Sequence, residues 1–215
     1  MSTDTEVKLD LRNAFISMLF ALVITTCASE GYKGFISPIL SGTFKIEMFA
    51  ILSHLILCVV VVTTSWIGWT GTFSRPDRPE IDGVFCRAHF LLFIDLLILG
   101  LYFSLIMSID TISNISAKPE LVVLASIFFF YFIWDISFSK EEEGIKNRLV
   151  NAKYTALFLV VLVFAFLHID LTVLNQWYFV ILADTLLLLV VVLFRAFVEP
   201  AIDQAESQMP EAIDR

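Results

Sequence analysis

Residues 48–69 read MFAILSHLILCVVVVTTSWIGW, a stretch without a single Asp, Glu, Lys or Arg. A helix needs roughly 20 apolar residues to cross the ~30 Å hydrocarbon core of a bilayer. A helix that is apolar on every side belongs either in the interior of a large protein or in a membrane. This stretch therefore predicts a transmembrane helix.

Five more segments of similar character lie on either side of it. Together they predict an all-α, six-span membrane domain over residues 1–198, followed by an acidic, mobile cytoplasmic tail over residues 199–215. The six predicted spans are residues 13–29, 48–69, 88–109, 121–138, 154–171 and 177–197. The segment 30–46, with three glycines and Pro38, has three interpretations: a surface loop, an interfacial helix or a partly re-entrant turn.

The composition excludes several classes of protein. Of the 215 residues, 58% are hydrophobic and 17% are charged, against ~25% charged residues in typical soluble domains. The net charge of −8 argues against nucleic acid as a partner, because neutralising phosphates requires clustered Lys and Arg. The partners we predict are the lipid bilayer, small ions, further copies of this chain and, as an option, a cytoplasmic protein.

The basic residues predict an orientation. Of the 14 Lys and Arg residues, all but Lys33, Lys45 and Lys118 fall on one side of the six predicted spans. Loops rich in Lys and Arg stay in the cytoplasm. We therefore expect both termini to be cytoplasmic, in a multi-pass protein of a bacterial inner (plasma) membrane.

Motifs of known enzymes do not occur in the chain. There is no HExxH, GxSxG, P-loop or GxGxxG pattern, and the three cysteines form no CxxC pair. The sequence therefore predicts no enzymatic activity, no catalytic residue, no cofactor and no metal site.

Charged residues in a membrane need an explanation, because ionisable groups are costly there. Four of them fall at the inner level of the predicted spans: Arg12, Asp95, Asp135 and Lys153. One interpretation is a charged vestibule or a proton-linked site that uses Asp95 and Asp135. The other is a network of ion pairs that ties helix ends together, since long basic side chains can reach nearby acids.

A second polar layer is predicted towards the outer side, made of Glu30, His54, His168 and Asp184. A His–Asp pair in a medium of low dielectric constant can bind a proton or another cation, and His168 with Asp184 is the predicted pair. The alternative is a hydrogen-bonded packing contact without a transport role.

The first predicted span carries a regular strip of small residues. Ser17, Ala21 and Thr25 recur every four residues, so they follow one face of a helix. Small residues let helices approach closely in membranes. The same strip can instead line a water-filled path, with Leu22 as an apolar constriction.

Residues 12–25 read RNAFISMLFALVIT. This stretch resembles the opening of the bacterial relatives of the lysosomal potassium channel, the transmembrane-protein-175 family, where an Arg near Ala-Phe-Ser-Asp-Gly is followed by Phe-Ala-Ile-Ala-Ile-Thr. Ile16, Ser17 and Met18 stand where the family has Ser-Asp-Gly. The resemblance implies a tetramer whose pore is lined by first spans, with Leu22 and Thr25 facing the pore. The matching residues are Ala14, Phe15, Phe20, Ala21, Ile24 and Thr25.

Three functions follow from these observations. The first is a homo-oligomeric, cation-conducting channel whose pore is lined by the first span. The second is a proton- or ion-coupled transporter of small molecules, which would need a cavity inside each subunit. The third is a membrane effector, for example a toxin-like protein that permeabilises the bilayer when a partner triggers it.

Overall fold

The computed structural model describes residues 2–73, 86–108, 117–138, 145–168 and 176–193. Within these ranges it describes the side chains of residues 14–70, 86–108, 117–134, 136–137, 155–165, 167–168 and 176–192. The predicted tail, residues 199–215, lies outside the described residues.

The described residues are almost entirely helical and contain no β-strand. They form α1 (Ser2–Gly31), a π-helical turn (Tyr32–Ile36), α2 (Ser37–Leu40), α3 (Met48–Phe73), α4 (Arg87–Met107), α5 (Ala117–Phe138), α6 (Ile145–His168) and α7 (Trp177–Leu193). The prediction of an all-α fold is confirmed.

Four of the described stretches are long and apolar enough to cross a membrane: Ala14–Leu40, Met48–Thr70, Arg87–Met107 and Ala117–Trp134. Shorter apolar stretches, Thr155–Ala165 and Trp177–Val192, lie in α6 and α7. Large apolar side chains cover the outside of the bundle; Leu40 and Leu167, for example, are 74% and 67% exposed. A soluble monomer rarely exposes so much apolar surface. The chain is therefore an integral, multi-pass membrane protein.

The first span is longer than the predicted 13–29. Helical structure continues through residues 30–40, and the turn that follows contains Gly42, whose φ is +70°. Proline normally interrupts a helix, because its ring clashes with the carbonyl four residues before it. For Pro38 that carbonyl belongs to Gly34, which lies in the π-helical turn. The wider turn thus gives Pro38 room, and the segment forms a helix where a loop or re-entrant turn was possible.

Gly31 and Gly34 let this segment approach α3 closely, at Leu55 and Ile51. A Cβ atom at Gly34 would lie 3.0 Å from Ile51 Cγ2, whereas a Cβ atom at Gly100 in α4 meets nothing within 4 Å. We expect Gly34→Ala to destabilise the protein by about 1–2 kcal/mol through overpacking. Gly100→Ala should stabilise it by about 0.5–1 kcal/mol, because alanine favours helix. Thermal unfolding in detergent tests both, and shifts of the same sign would contradict the predicted packing.

The helices pack as a bundle in which α1 contacts α3 and α4, α3 also contacts α7, and α5 contacts α4 and α6. Its core is apolar and includes Ile16 and Val23 of α1, Leu57 of α3, and Tyr102 of α4. This packing brings the N-terminal parts of α3, α5 and α7 next to the last turn of α4. The candidate site lies there.

Candidate functional site

Three ionisable side chains meet at this end of the bundle, and we call them the His54 cluster: His54 of α3, Glu120 of α5 and Asp184 of α7. All three are buried, with 4%, 2% and 1% of their surface exposed. The Nδ1 atom of His54 lies 3.1 Å from Oε2 of Glu120 and 3.7 Å from Oδ1 of Asp184. Three separate helices therefore bring one imidazole and two carboxyl groups together inside the protein.

A backbone carbonyl orients the imidazole. The Nε2 atom of His54 lies 2.9 Å from the carbonyl oxygen of Leu105, in the last turn of α4. A carbonyl only accepts, so Nε2 carries the hydrogen and donates it. In the neutral imidazole the lone pair is then on Nδ1, which faces the two carboxyl groups. Ser108 supports the same carbonyl by donating its hydroxyl hydrogen at 2.6 Å.

A serine orients one of the acids. Ser53 Oγ donates to Oδ2 of Asp184 at 2.5 Å, which leaves Oδ1 as the oxygen on the imidazole side. Among the described residues, no hydrogen-bond donor reaches Oδ1 of Asp184 or Oε1 of Glu120. As long as both acids are ionised, these buried oxygens are acceptors without a donor, and such groups are costly.

The charge of the His54 cluster is therefore unbalanced. With both acids ionised, it carries −2 if the imidazole is neutral and −1 if the imidazole is protonated. Buried carboxylates at membrane depth require a compensating positive charge. A proton or a metal ion bound at the cluster would supply that charge.

A cavity of about 220 Å³ lies in the other half of the bundle. Asp95, which is buried, contributes to its wall. The hydroxyl of Tyr131 is hydrogen-bonded to the hydroxyls of Ser65 and Tyr102, so a row of polar groups follows one side. Its aromatic lining residues are Phe20, Trp69, Tyr102, Phe128, Tyr131, Trp134 and Phe158.

The structure brings together only part of the predicted outer layer. His54 and Asp184 meet, and Asp184 faces His54 rather than the predicted partner His168. The ring of His168 is exposed and lies 4.0 Å, between centroids, from that of Phe164 on its own helix. Glu30 instead accepts a bond from Lys33 at 2.8 Å at the surface. Asp184 contacts His54 rather than His168 because α7 packs against α3, the helix that carries His54.

Glu120 is the site residue that the sequence analysis did not select. The predicted fourth span begins at Leu121, so Glu120 lies just outside it. The helix in fact starts at Ala117 and includes Pro119 and Glu120 in its first turn. Proline is favoured in the first turn of helices, and acids are favoured near a helix N-terminus. The Lys-Pro-Glu sequence is therefore a helix-start signal that would have included Glu120.

Of the predicted inner layer, Asp95 is the one residue whose side chain is described, and it lines the cavity. Arg12, Asp135 and Lys153 lie in α1, α5 and α6, and their side chains are outside the described set. The charged vestibule and the network of ion pairs therefore both stay predictions.

The predicted pore residues lie on one face of α1. Ala21, Leu22 and Thr25 are exposed on the single chain, and Ser17 is half-buried. Thr25 donates its hydroxyl hydrogen to the carbonyl of Ala21 at 2.8 Å, within its own helix. The opposite face of α1 is buried in the bundle. The strip is thus available to lipid or to another copy of the chain.

Comparisons of the chain with protein-family models, with curated proteins and with solved structures find no match.

Proposed function

We propose that this protein transports cations, alone or coupled to a small solute, through each subunit. The observation that supports this is the His54 cluster, in which two buried carboxyl groups face one imidazole in the interior of a membrane protein. Ionisable groups placed there are expensive, and they mark the paths of ions and protons in membrane proteins. The internal cavity is the second feature that a transporter needs.

In the proposed arrangement six helices cross a bacterial inner membrane, α6 and α7 being the fifth and sixth, and both termini are cytoplasmic. The distribution of Lys and Arg supports this orientation. The His54 cluster then lies towards the outside and the cavity towards the cytoplasm. A cation that moves between them follows the axis of the bundle.

The cavity is suited to a small, mainly apolar solute with one polar or charged group. Its wall combines aromatic rings with the Asp95 carboxyl group and the hydroxyls of Ser65 and Tyr131. Ligand pockets of this kind use apolar walls for affinity and a few polar groups for orientation.

Reconstitution into liposomes tests the proposal. We expect the wild-type protein to carry at least one of H⁺, Na⁺, K⁺ or Zn²⁺, with a rate that saturates. Glu120→Gln keeps the shape of the side chain but removes its charge, and it should lower this rate about ten- to a hundredfold, because it removes a charged partner of the transported ion.

Glu30→Gln is the matched control, since Glu30 lies at the surface and pairs with Lys33. It should transport like the wild type. An equal loss in both variants, or an undiminished rate in Glu120→Gln, would contradict a role for the His54 cluster in transport.

A homo-oligomeric cation channel is the second candidate. It is favoured by the exposed face of α1, which carries Ala21, Leu22 and Thr25. The resemblance of residues 12–25 to the potassium-channel family suggests the same face. Four such faces around a shared axis would give a pore with Leu22 as its constriction.

Leu22→Asn separates the channel from the transporter. If Leu22 closes a pore, the polar side chain should raise the passive leak of K⁺ from liposomes about tenfold or more, because it removes an apolar barrier to water. Leu186→Asn on α7 is the control, since Leu186 is 54% exposed and Leu22 is 52% exposed. An equal leak in the two variants would count against a pore along α1.

A further inference from the structure

We propose that the cation held by the His54 cluster is a divalent transition-metal ion such as Zn²⁺. Its protein ligands would be Nδ1 of His54, a carboxylate oxygen of Glu120 and Oδ1 of Asp184. This inference rests on the proposed cation site and names the class of ion that the site takes. The binding itself does not depend on whether the ion is then transported.

The spacing of the donor atoms fits such an ion. The candidate ligand atoms of the three residues all lie within 4.8 Å of one another. From Nδ1, the nearest carboxyl oxygens are 3.1 Å (Glu120) and 3.7 Å (Asp184) away. Tetrahedral zinc binds N and O ligands at about 2.0–2.2 Å, which puts neighbouring ligands roughly 3.3–3.6 Å apart. The two distances from Nδ1 differ from this spacing by a few tenths of an ångström. The ligand atoms of Glu120 and Asp184, which lie within 4.8 Å of each other, would move together to complete the site.

The surroundings of the ligands support a metal more than an ordinary ion pair. A histidine that binds a metal usually donates its other ring N–H to a carbonyl or carboxylate, which fixes the tautomer. His54 does this through Nε2 to the carbonyl of Leu105. Ser53 holds the far oxygen of Asp184, so that Oδ1 stays directed at the imidazole.

Two unsatisfied atoms point to a ligand. In the described part of the chain, Oε1 of Glu120 and Oδ1 of Asp184 receive no hydrogen bond, although both residues are at least 98% buried. A divalent ion bound by Oδ1 of Asp184 and by one oxygen of Glu120 would give Oδ1 a partner and would balance the charge of the whole Glu120 carboxylate. With a neutral imidazole it would also cancel the −2 charge of the two carboxylates.

The mixed donor set selects the class of ion. Mg²⁺ and Ca²⁺ prefer oxygen ligands, and they keep six or more of them. An imidazole nitrogen with two carboxylates suits Zn²⁺ and its first-row neighbours, with the fourth position open to water or another ligand.

Binding can be measured without transport. The purified protein in detergent, stripped of metal, would be titrated with Zn²⁺ by calorimetry, and with Co²⁺ while visible absorption is recorded. We expect one ion per chain and the absorption bands of four-coordinate Co²⁺. Glu120→Gln and Asp184→Asn should each weaken binding about ten- to a hundredfold or more, because each removes a charged ligand. His168→Ala should bind like the wild type, since that ring stacks on Phe164 outside the cluster.

The outcomes are distinct from those of the transport assay. Zn²⁺ binding that is absent in the wild type, or unchanged in both carboxyl variants, overturns the metal site. Glu120-dependent proton flux without metal binding also overturns it and leaves the proposed transport intact. Binding that is lost in both variants supports the metal site even if liposomes show no flux. Circular dichroism and gel filtration of each variant exclude unfolding as the cause of a loss.

Discussion

Replacing His54 alone with alanine is expected to lower the free energy of unfolding by about 3–5 kcal/mol. In the metal-free protein the change removes the imidazole, whose protonated form balances one of the two carboxylates. It leaves Glu120 and Asp184, which are 2% and 1% exposed, without a basic group in the cluster. It also leaves the carbonyl of Leu105 without its imidazole donor. Unfolding by heat or denaturant in detergent, at neutral pH, measures the loss.

The triple variant His54→Leu/Glu120→Leu/Asp184→Leu is the informative companion. Replacing a whole buried charged group by apolar residues of similar size is often neutral or stabilising. We therefore expect the triple variant to regain most of the stability lost in His54→Ala, while its transport and metal binding stay absent. A triple variant as unstable as the single one would indicate that the cluster holds the fold together rather than serving a ligand.

The second large effect is expected from filling the cavity. Thr64 of α3 lines it, and its hydroxyl donates to the carbonyls of Val60 and Val61 in its own helix. Thr64→Trp should place an indole in the cavity, whose volume is about 220 Å³. It should lower solute or cation flux about a hundredfold, because the indole would obstruct the transport path. Flux into liposomes measures the effect, at matched protein incorporation.

Two controls keep this result interpretable. Thr64→Val has nearly the same volume and should transport like the wild type. Leu186→Trp adds an indole at a side chain that is exposed on α7, and it should have no effect. Undiminished flux in Thr64→Trp, with the fold retained, would exclude the cavity from the transport path.

The membrane-crossing helices were predictable because their signal is strong and local. The predicted span 48–69 and helix α3, Met48–Phe73, begin at the same residue, and the span predicted from residue 88 corresponds to α4, which begins at Arg87. An apolar run of about 20 residues is long enough to cross the bilayer, and a stable fold cannot leave it exposed to water. The extension of the first helix to Leu40 was not predictable in this way. It depends on the π-helical turn and on the close contact of Gly34 with Ile51, which is a tertiary effect.

The candidate site was predictable in its parts but not in its assembly. His54 and Asp184 were selected because each is an ionisable residue inside an apolar run. Their contact depends on the packing of α3 against α7. The two residues are 130 positions apart, and no local sequence pattern indicates that their helices are in contact. Glu120 was not selected for another reason: the Lys118-Pro119 pair before it is typical of a loop as well as of a helix start.

The extended first helix has a consequence for the lipid around it. The apolar stretch Ala14–Leu40 contains 27 residues, so at 1.5 Å per residue it is about 40 Å long. The hydrocarbon core of a typical bilayer is about 30 Å thick. This helix must therefore tilt steeply or extend its last turns into the headgroup layer, and either choice depends on bilayer thickness. Because Gly31 and Gly34 hold the same turns against α3, hydrophobic mismatch acts directly on the helix that carries His54.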